Sequence, residues 1–223
     1  MIVTRSILLI ALALVSAVAH SAEKKDPAGK DLPLVFEEDF SDGTDRWNMT
    51  DAKAWDLLKD GDRDVLSLSR ASDYNPPVRS PLNIAWVNHL NLTSFVLEVD
   101  VKQTGREYGH RDSCLFFGKH GIDQFYYVHI ASVADPHAHS IFKVNKEPRV
   151  SIATERTDGF KWDDQFHKVR IVRDGESGSI DVYVDDMTKP IMHTVDKTFV
   201  GGTVGIGSFD DTGHFDSVRI WGK

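Results

Sequence analysis

Within residues 108–139 the chain gathers Tyr108, His110, Arg111, Tyr127, His129, Asp135, His137 and His139. Imidazoles and phenols hold or release protons, and a guanidinium neutralises a carboxylate, so the set suits acid–base work on a polar substrate. A histidine base and a tyrosine acid would serve β-elimination from a uronic acid, with Arg111 facing the sugar's carboxylate. The same pair would instead assist hydrolysis of an activated sugar. The expected catalytic residues are His129, Tyr127, Arg111, His110 and His137. Asp135 and His139 are expected to bind substrate, together with Trp86 and Tyr108, whose rings suit stacking on a sugar. The plain alternative is a polar turn carrying surface histidines. Asp135, His137 and His139 are also metal-ligand types, although their spacing matches no strong zinc pattern.

The elements that must position these groups read as strands. Phe125, Tyr127 and His129 alternate with Tyr126, Val128 and Ile130, the period of a half-buried strand. Tyr127 and His129 should then line a groove while Tyr126, Val128 and Ile130 face the core. Pairing of 113–118 with 123–131 as a hairpin would bring His110 and Arg111 to the same end as Asp135, His137 and His139. Further strands are expected at 34–40, 54–58, 64–70, 83–88, 94–103, 139–145, 149–154, 166–173, 179–185, 190–194, 203–208 and 214–221. Asp174-Gly175-Glu176-Ser177-Gly178 has the composition of a hairpin connection. No useful window has helical apolar spacing. The fold class is therefore all-β, a two-sheet antiparallel jelly-roll sandwich.

Residues 1–22 have the form of a signal peptide: Arg5, an apolar run to Val18, and small residues that place cleavage after Ala19 or Ala22. Residues 23–33 read as a flexible leader and 34–223 as one domain. The expected location is secreted or periplasmic. No later stretch is long and apolar enough for membrane insertion. Cys114 is the only cysteine, so no internal disulfide forms, and it should pack as a small apolar residue. A net charge of −8 argues against nucleic acid and anionic membrane surfaces as partners.

From Trp162 to Ile171, through Val182-Tyr183-Val184-Asp185, Gly202 to Phe209 and Phe215 to Ile220, the order of residues resembles the concanavalin A-like lectin/glucanase jelly rolls. Among these it is most similar to the 3-keto-disaccharide hydrolase domain and proteins likened to family 16 glycoside hydrolases. Phe36-Glu37-Glu38-Asp39-Phe40 with Trp47 fits the same pattern. The resemblance covers nearly all of residues 34–222 and implies a carbohydrate partner, with Trp162 in the core. It departs from the glucanases at Glu98-Val99-Asp100-Val101-Lys102-Gln103, where a third acid is replaced and the strand reads as an ordinary one with a solvated face. The resemblance also implies a structural Ca²⁺ tying the first strand to the last, with Asp39 and Asp216 as ligands near Asp210 and Asp211. The expected function is cleavage of a glycoside or oligosaccharide on the concave sheet. The alternative is a non-catalytic carbohydrate-binding, lectin-like module.

Overall fold

The computed structural model describes residues 26–223, so the expected signal peptide lies outside the described residues. In chain order the strands are β1 (Leu34–Glu38), β2 (Trp47–Met49), β3 (Trp55–Asp60), β4 (Arg63–Leu68), β5 (Asn83–Val87), β6 (Phe95–Gln103), β7 (Asp112–Gly121) and β8 (Gln124–Ala131). They continue as β9 (Ser140–Asn145), β10 (Val150–Ser151), β11 (Glu155–Arg156), β12 (His167–Arg173), β13 (Ser179–Val184), β14 (Met192–Val195), β15 (Val204–Ser208) and β16 (Gly213–Gly222). The pairings are antiparallel and make two sheets. One runs β11-β14-β13-β12-β6-β16-β4-β3 with β1 added beside β16; the other runs β10-β9-β8-β7-β15-β5-β2. This is the expected two-sheet jelly roll. Two short strands, β2 and β11, were not foreseen. The strand expected from residue 54 is preceded by a 3₁₀ turn at Ala52–Ala54, capped by Asp51, whose carboxylate accepts from the Lys53 amide at 3.0 Å.

The main core lies between the sheets because alternate residues of each strand point there. Leu97, Val99, Val101, Val169, Ile171, Val182 and Ile220 come from one sheet, and Ala85, Leu115, Phe117, Tyr126, Val128, Ile130 and Ile206 from the other. Tyr126, Val128 and Ile130 thus take the inward face expected of them. Tyr126 stacks on Phe117 with ring centroids 5.2 Å apart. Its hydroxyl donates to Asp196 and accepts from the Phe199 amide at 3.0 Å. Trp162 is buried as well, its indole donating to the Ile130 carbonyl at 3.1 Å.

The outer face of the nine-stranded sheet corrects one expectation and bears on another. Glu98 is not solvated: it is buried and takes two hydrogen bonds from the Arg170 guanidinium, at 2.8 and 2.6 Å. Asp216 and Asp39, the expected calcium ligands, are each engaged by protein groups. Asp216 and Asp100 share Arg63, at 2.9 and 2.8 Å, so the charge of Asp216 is already met by a cation. Asp39 accepts from the amide and hydroxyl of Ser41 at 3.1 and 2.7 Å. The residues present therefore do not fit an ion between these two acids.

Residues 26–33, expected as part of a flexible leader, are instead docked. The Asp26 carboxylate accepts from the amides of Ala28, Lys30 and Leu32 at 3.1, 2.8 and 3.0 Å. That turn lays Leu32 on Val96, Val172 and Trp221 of the nine-stranded sheet. The Gly222 amide donates to the Pro33 carbonyl at 2.9 Å, and the Thr93 amide to that of Lys223 at 2.8 Å, so both ends of the described chain lie on this side.

Replacing Tyr126 by Ala removes a ring stack and two hydrogen bonds from a fully buried position. The expected cost is about 3–5 kcal/mol, the range for an aromatic truncated in a core. Val195→Ala, at a side chain 57% exposed, should change stability by less than about 0.5 kcal/mol. Urea unfolding of the two variants beside the parent checks both; a silent Tyr126→Ala would mean that the inter-sheet core is wrongly placed.

Candidate functional site

Outside the inter-sheet core, the seven-stranded sheet carries a second apolar layer on its outer face. Cys114 and Phe116 come from β7, Phe125 and Tyr127 from β8, Phe142 and Val144 from β9, and Ile84 and Trp86 from β5. The rings form a continuous floor: Trp86 to Phe116 at 5.6 Å, Phe116 to Tyr127 at 5.9 Å, Tyr127 to Phe142 at 5.1 Å. Gly205 lies opposite Trp86 in the register, and a Cβ there would meet the Trp86 ring at 3.1 Å. A larger residue on β15 would lift the indole off the sheet.

One end of this floor is covered. The Arg149 guanidinium lies 4.1 Å from the Phe209 ring centre and 5.0 Å from that of Phe142. It donates to the Tyr127 hydroxyl at 3.1 Å and to the His137 carbonyl at 2.9 Å. Beneath this cover the Asp112 carboxylate accepts from Ser208 Oγ, from the Phe209 amide at 3.0 Å and from His129 Nε2. Asp211 accepts from the Asp112 amide at 3.0 Å and from the Tyr108 hydroxyl at 2.8 Å. Burial, then the charge of Asp112, pushes the Asp211 carboxyl up to about 6. Asp210 is exposed by surface area yet crowded by protein on one side, and burial and Asp112 raise its carboxyl too.

The expected hairpin forms, with Cys114 opposite His129, and it brings most of the predicted residues to one end of the sheet. It does not make them an open acid–base site. Tyr127 and His129 take the outward face as expected, but they are 0% and 3% exposed, covered by Arg149 and Phe209. Burial raises the Tyr127 phenol well above its ordinary value. Arg111 turns inward, donating to the carbonyls of Trp162 and Gln103 at 3.4 and 3.2 Å, away from any substrate carboxylate. His110 is exposed and paired with Asp135 at 2.5 Å. Asp135 also accepts the His137 amide at 2.7 Å. His139 is fully buried, bonded through Nε2 to Thr157 at 2.9 Å, and burial lowers its imidazole to about 4. His139 is therefore held neutral at neutral pH and lies away from the surface where a ligand would sit. Among the described residues, the ligand types gathered closely enough to hold an ion are Asp112, Cys114 and His129, and Asp112, Asp210 and Asp211, each set within 4.8 Å. Both sets share Asp112, already bonded to three donors.

The other end of the floor is open at Trp86. Two recesses flank the indole. One, of about 210 Å³, has Asn48, Thr50, Tyr74 and Ile122 in its wall; the other has Asn88, Asn91 and Thr203. Lys119 lines both, its ammonium 4.8 Å above the Trp86 ring. Trp86 itself is only 5% exposed, so the expected free stacking surface is an edge beneath a lysine. Strand alternation would send Lys119 inward, because Phe117 and Leu115 face the core. A register irregularity between Phe117 and Gly121, with Gly118 at φ 63°, re-aims Lys119 to the outer face. The glycine before the lysine was the only sequence signal for it.

No family model matches the chain, and no curated protein matches it. Solved structures do share its fold. The carbohydrate binding module CBM66 from Bacillus subtilis is 14% identical with a TM-score of 0.55, over 79% of this chain and 95% of that one. Lectin I-B4 from Griffonia simplicifolia, in a metal-free form, is 15% identical with a TM-score of 0.54, over 84% of this chain and 98% of the lectin. The GH43 protein BlXynB from Bacillus licheniformis is 12% identical with a TM-score of 0.55; the match spans 84% of this chain and 39% of that protein. At such identities the likeness is one of fold: a two-sheet antiparallel jelly roll.

Asp211 supplies a pH test of the covered network. Its folded carboxyl, near 6, lies above the unfolded value of 3.8, so the folded state holds the proton more tightly. Its contribution is favourable at low pH and is lost as pH rises through about 6. Asp211→Asn removes that loss. Relative to the parent, the variant should be more stable at pH 7 than at pH 4 in urea unfolding with a chelator present. A stability difference independent of pH would show that Asp211 ionises normally.

Proposed function

We propose that this chain is an exported, non-catalytic carbohydrate-recognition domain that holds its sugar at the open end of the aromatic floor, around Trp86. The observation that carries this reading is the pairing of an indole edge with amide, hydroxyl and ammonium groups in two adjoining recesses. Sugar recognition needs an apolar ring to meet the C–H face and polar groups to meet the hydroxyls. Asn48 and Tyr74 on one side, and on the other the amide atoms of Asn88 and Asn91 not taken by the Asp45 carbonyl and the Gly202 amide, supply the polar part. The fold shared with a carbohydrate binding module and a lectin supports the reading, as does the form of residues 1–22, from which export is inferred. The acidic net charge, −8, makes nucleic acid a poor alternative partner.

A second reading, glycoside cleavage, is favoured by one observation. Asp112, Asp210 and Asp211 bring carboxyl oxygens within 4.8 Å of one another, near the spacing a retaining glycosidase uses between its two acids. The chemistry needs both acids to reach the sugar. Here Asp112 and Asp211 are 1% and 8% exposed and committed to protein donors, leaving only Asp210 at the surface. Binding is therefore the better-supported function.

The double variant Asn48→Ala/Tyr74→Ala should keep the parent's melting temperature and weaken glycan binding by about tenfold or more, equivalent to about 1.4 kcal/mol. Calorimetric titration with ligands found on a glycan array measures it. Turnover of any glycan by the parent, abolished by Asp210→Asn, would replace the binding reading with the hydrolytic one.

A further inference from the structure

We infer that the sugar held at Trp86 is an anionic one, carrying a carboxylate or sulfate that pairs with Lys119; this rests on the carbohydrate reading above and narrows it.

The distribution of charge around the two recesses supports the inference. The chain has 34 acidic residues against 26 basic ones. Yet no aspartate or glutamate lines either recess; their only formal charge is Lys119, and His89 is the one other titratable nitrogen. Most lysines and arginines on this protein's sheets are met by a carboxylate. Lys59 meets Asp64, Lys102 meets Asp60, Lys143 meets Asp196 and Lys168 meets Asp100, each at 2.7–2.9 Å. Lys119 has no carboxylate partner among the described residues; its ammonium faces the Trp86 ring.

The lysine is also half-buried, and burial lowers its ammonium from the ordinary lysine value. Holding an unpaired cation partly out of water is unfavourable, and an incoming anion relieves it. Its position on the outer face is moreover produced by a backbone irregularity at Gly118 and not by regular alternation. A neutral sugar would need only a hydrogen-bond donor, which the nearby asparagines provide. A long, desolvated ammonium set over the stacking ring suits a ligand bearing a negative charge beside its C–H face.

The test compares three probes on the folded full domain: a neutral oligogalactoside, the corresponding oligogalacturonate, and a sulfated oligogalactoside. At low salt the uronate or the sulfated probe should bind at least tenfold more tightly than the neutral one, and whichever wins identifies the anion. Raising the salt should erase the preference, as screening requires. Lys119→Met keeps the aliphatic stem over Trp86 and should reduce the charged probe to the neutral probe's affinity without lowering the melting temperature. Equal binding of neutral and charged probes, or a preference that survives Lys119→Met, overturns the anion inference while leaving carbohydrate binding intact. Failure of all three probes and of a broad glycan array removes the carbohydrate reading and this inference with it.

Discussion

The Asp112 carboxylate fastens the outer end of the seven-stranded sheet. It lies at the start of β7 and takes donors from His129 on β8, from Ser208 at the end of β15, and from the amide of Phe209 beyond it. A carboxylate buried this deeply is tolerated only when its oxygens are fully engaged, and each donor would cost about 1–3 kcal/mol if left bare. The arrangement therefore sets three strand ends against one another. It also turns the chain after Ser208 so that Phe209 and Arg149 close over Tyr127. The groups that look most reactive in the sequence are spent on this junction. Histidine, tyrosine and arginine occur together here because a polar end of a β sandwich needs partners for its buried groups.

That is also why the site was only partly legible. The fold was readable because the period of a strand is local: residues 124–130 sort by parity, and the sorting places Tyr126 and Tyr127 on opposite faces correctly. Whether an outward face meets water is not local. Tyr127 is covered by Arg149, 22 positions away, and His129 by Phe209, 80 positions away. No periodicity within β8 encodes either. Lys119 was missed for a different reason: the strand was expected to end at Gly118, and the irregular backbone there carries β7 on to Gly121 and aims the lysine outward. The partner of Asp216 was equally illegible, since Arg63 reaches it from a strand 153 residues earlier.

The two faces of the sandwich thus carry different kinds of order. Outside the nine-stranded sheet, acids and bases are matched in pairs, as at Glu98 with Arg170 and Asp100 with Lys168. Such matching leaves little net attraction for a charged visitor. Outside the seven-stranded sheet, an aromatic layer is sealed at one end and ends in an unmatched ammonium at the other. The contrast concentrates both apolar edge and net charge in one small region.

The docking of residues 26–33 bears on how such a region would be displayed. The segment leading into β1 and the last residue of β16 lie together against the nine-stranded sheet, held by the Pro33 and Lys223 carbonyls. Trp86 and Lys119 lie on the outer side of the opposite sheet. Anything joined to either end, whether a neighbouring domain, an anchor or a solid support, would sit behind the sandwich. Immobilised by its ends, the domain would turn its recesses toward the medium.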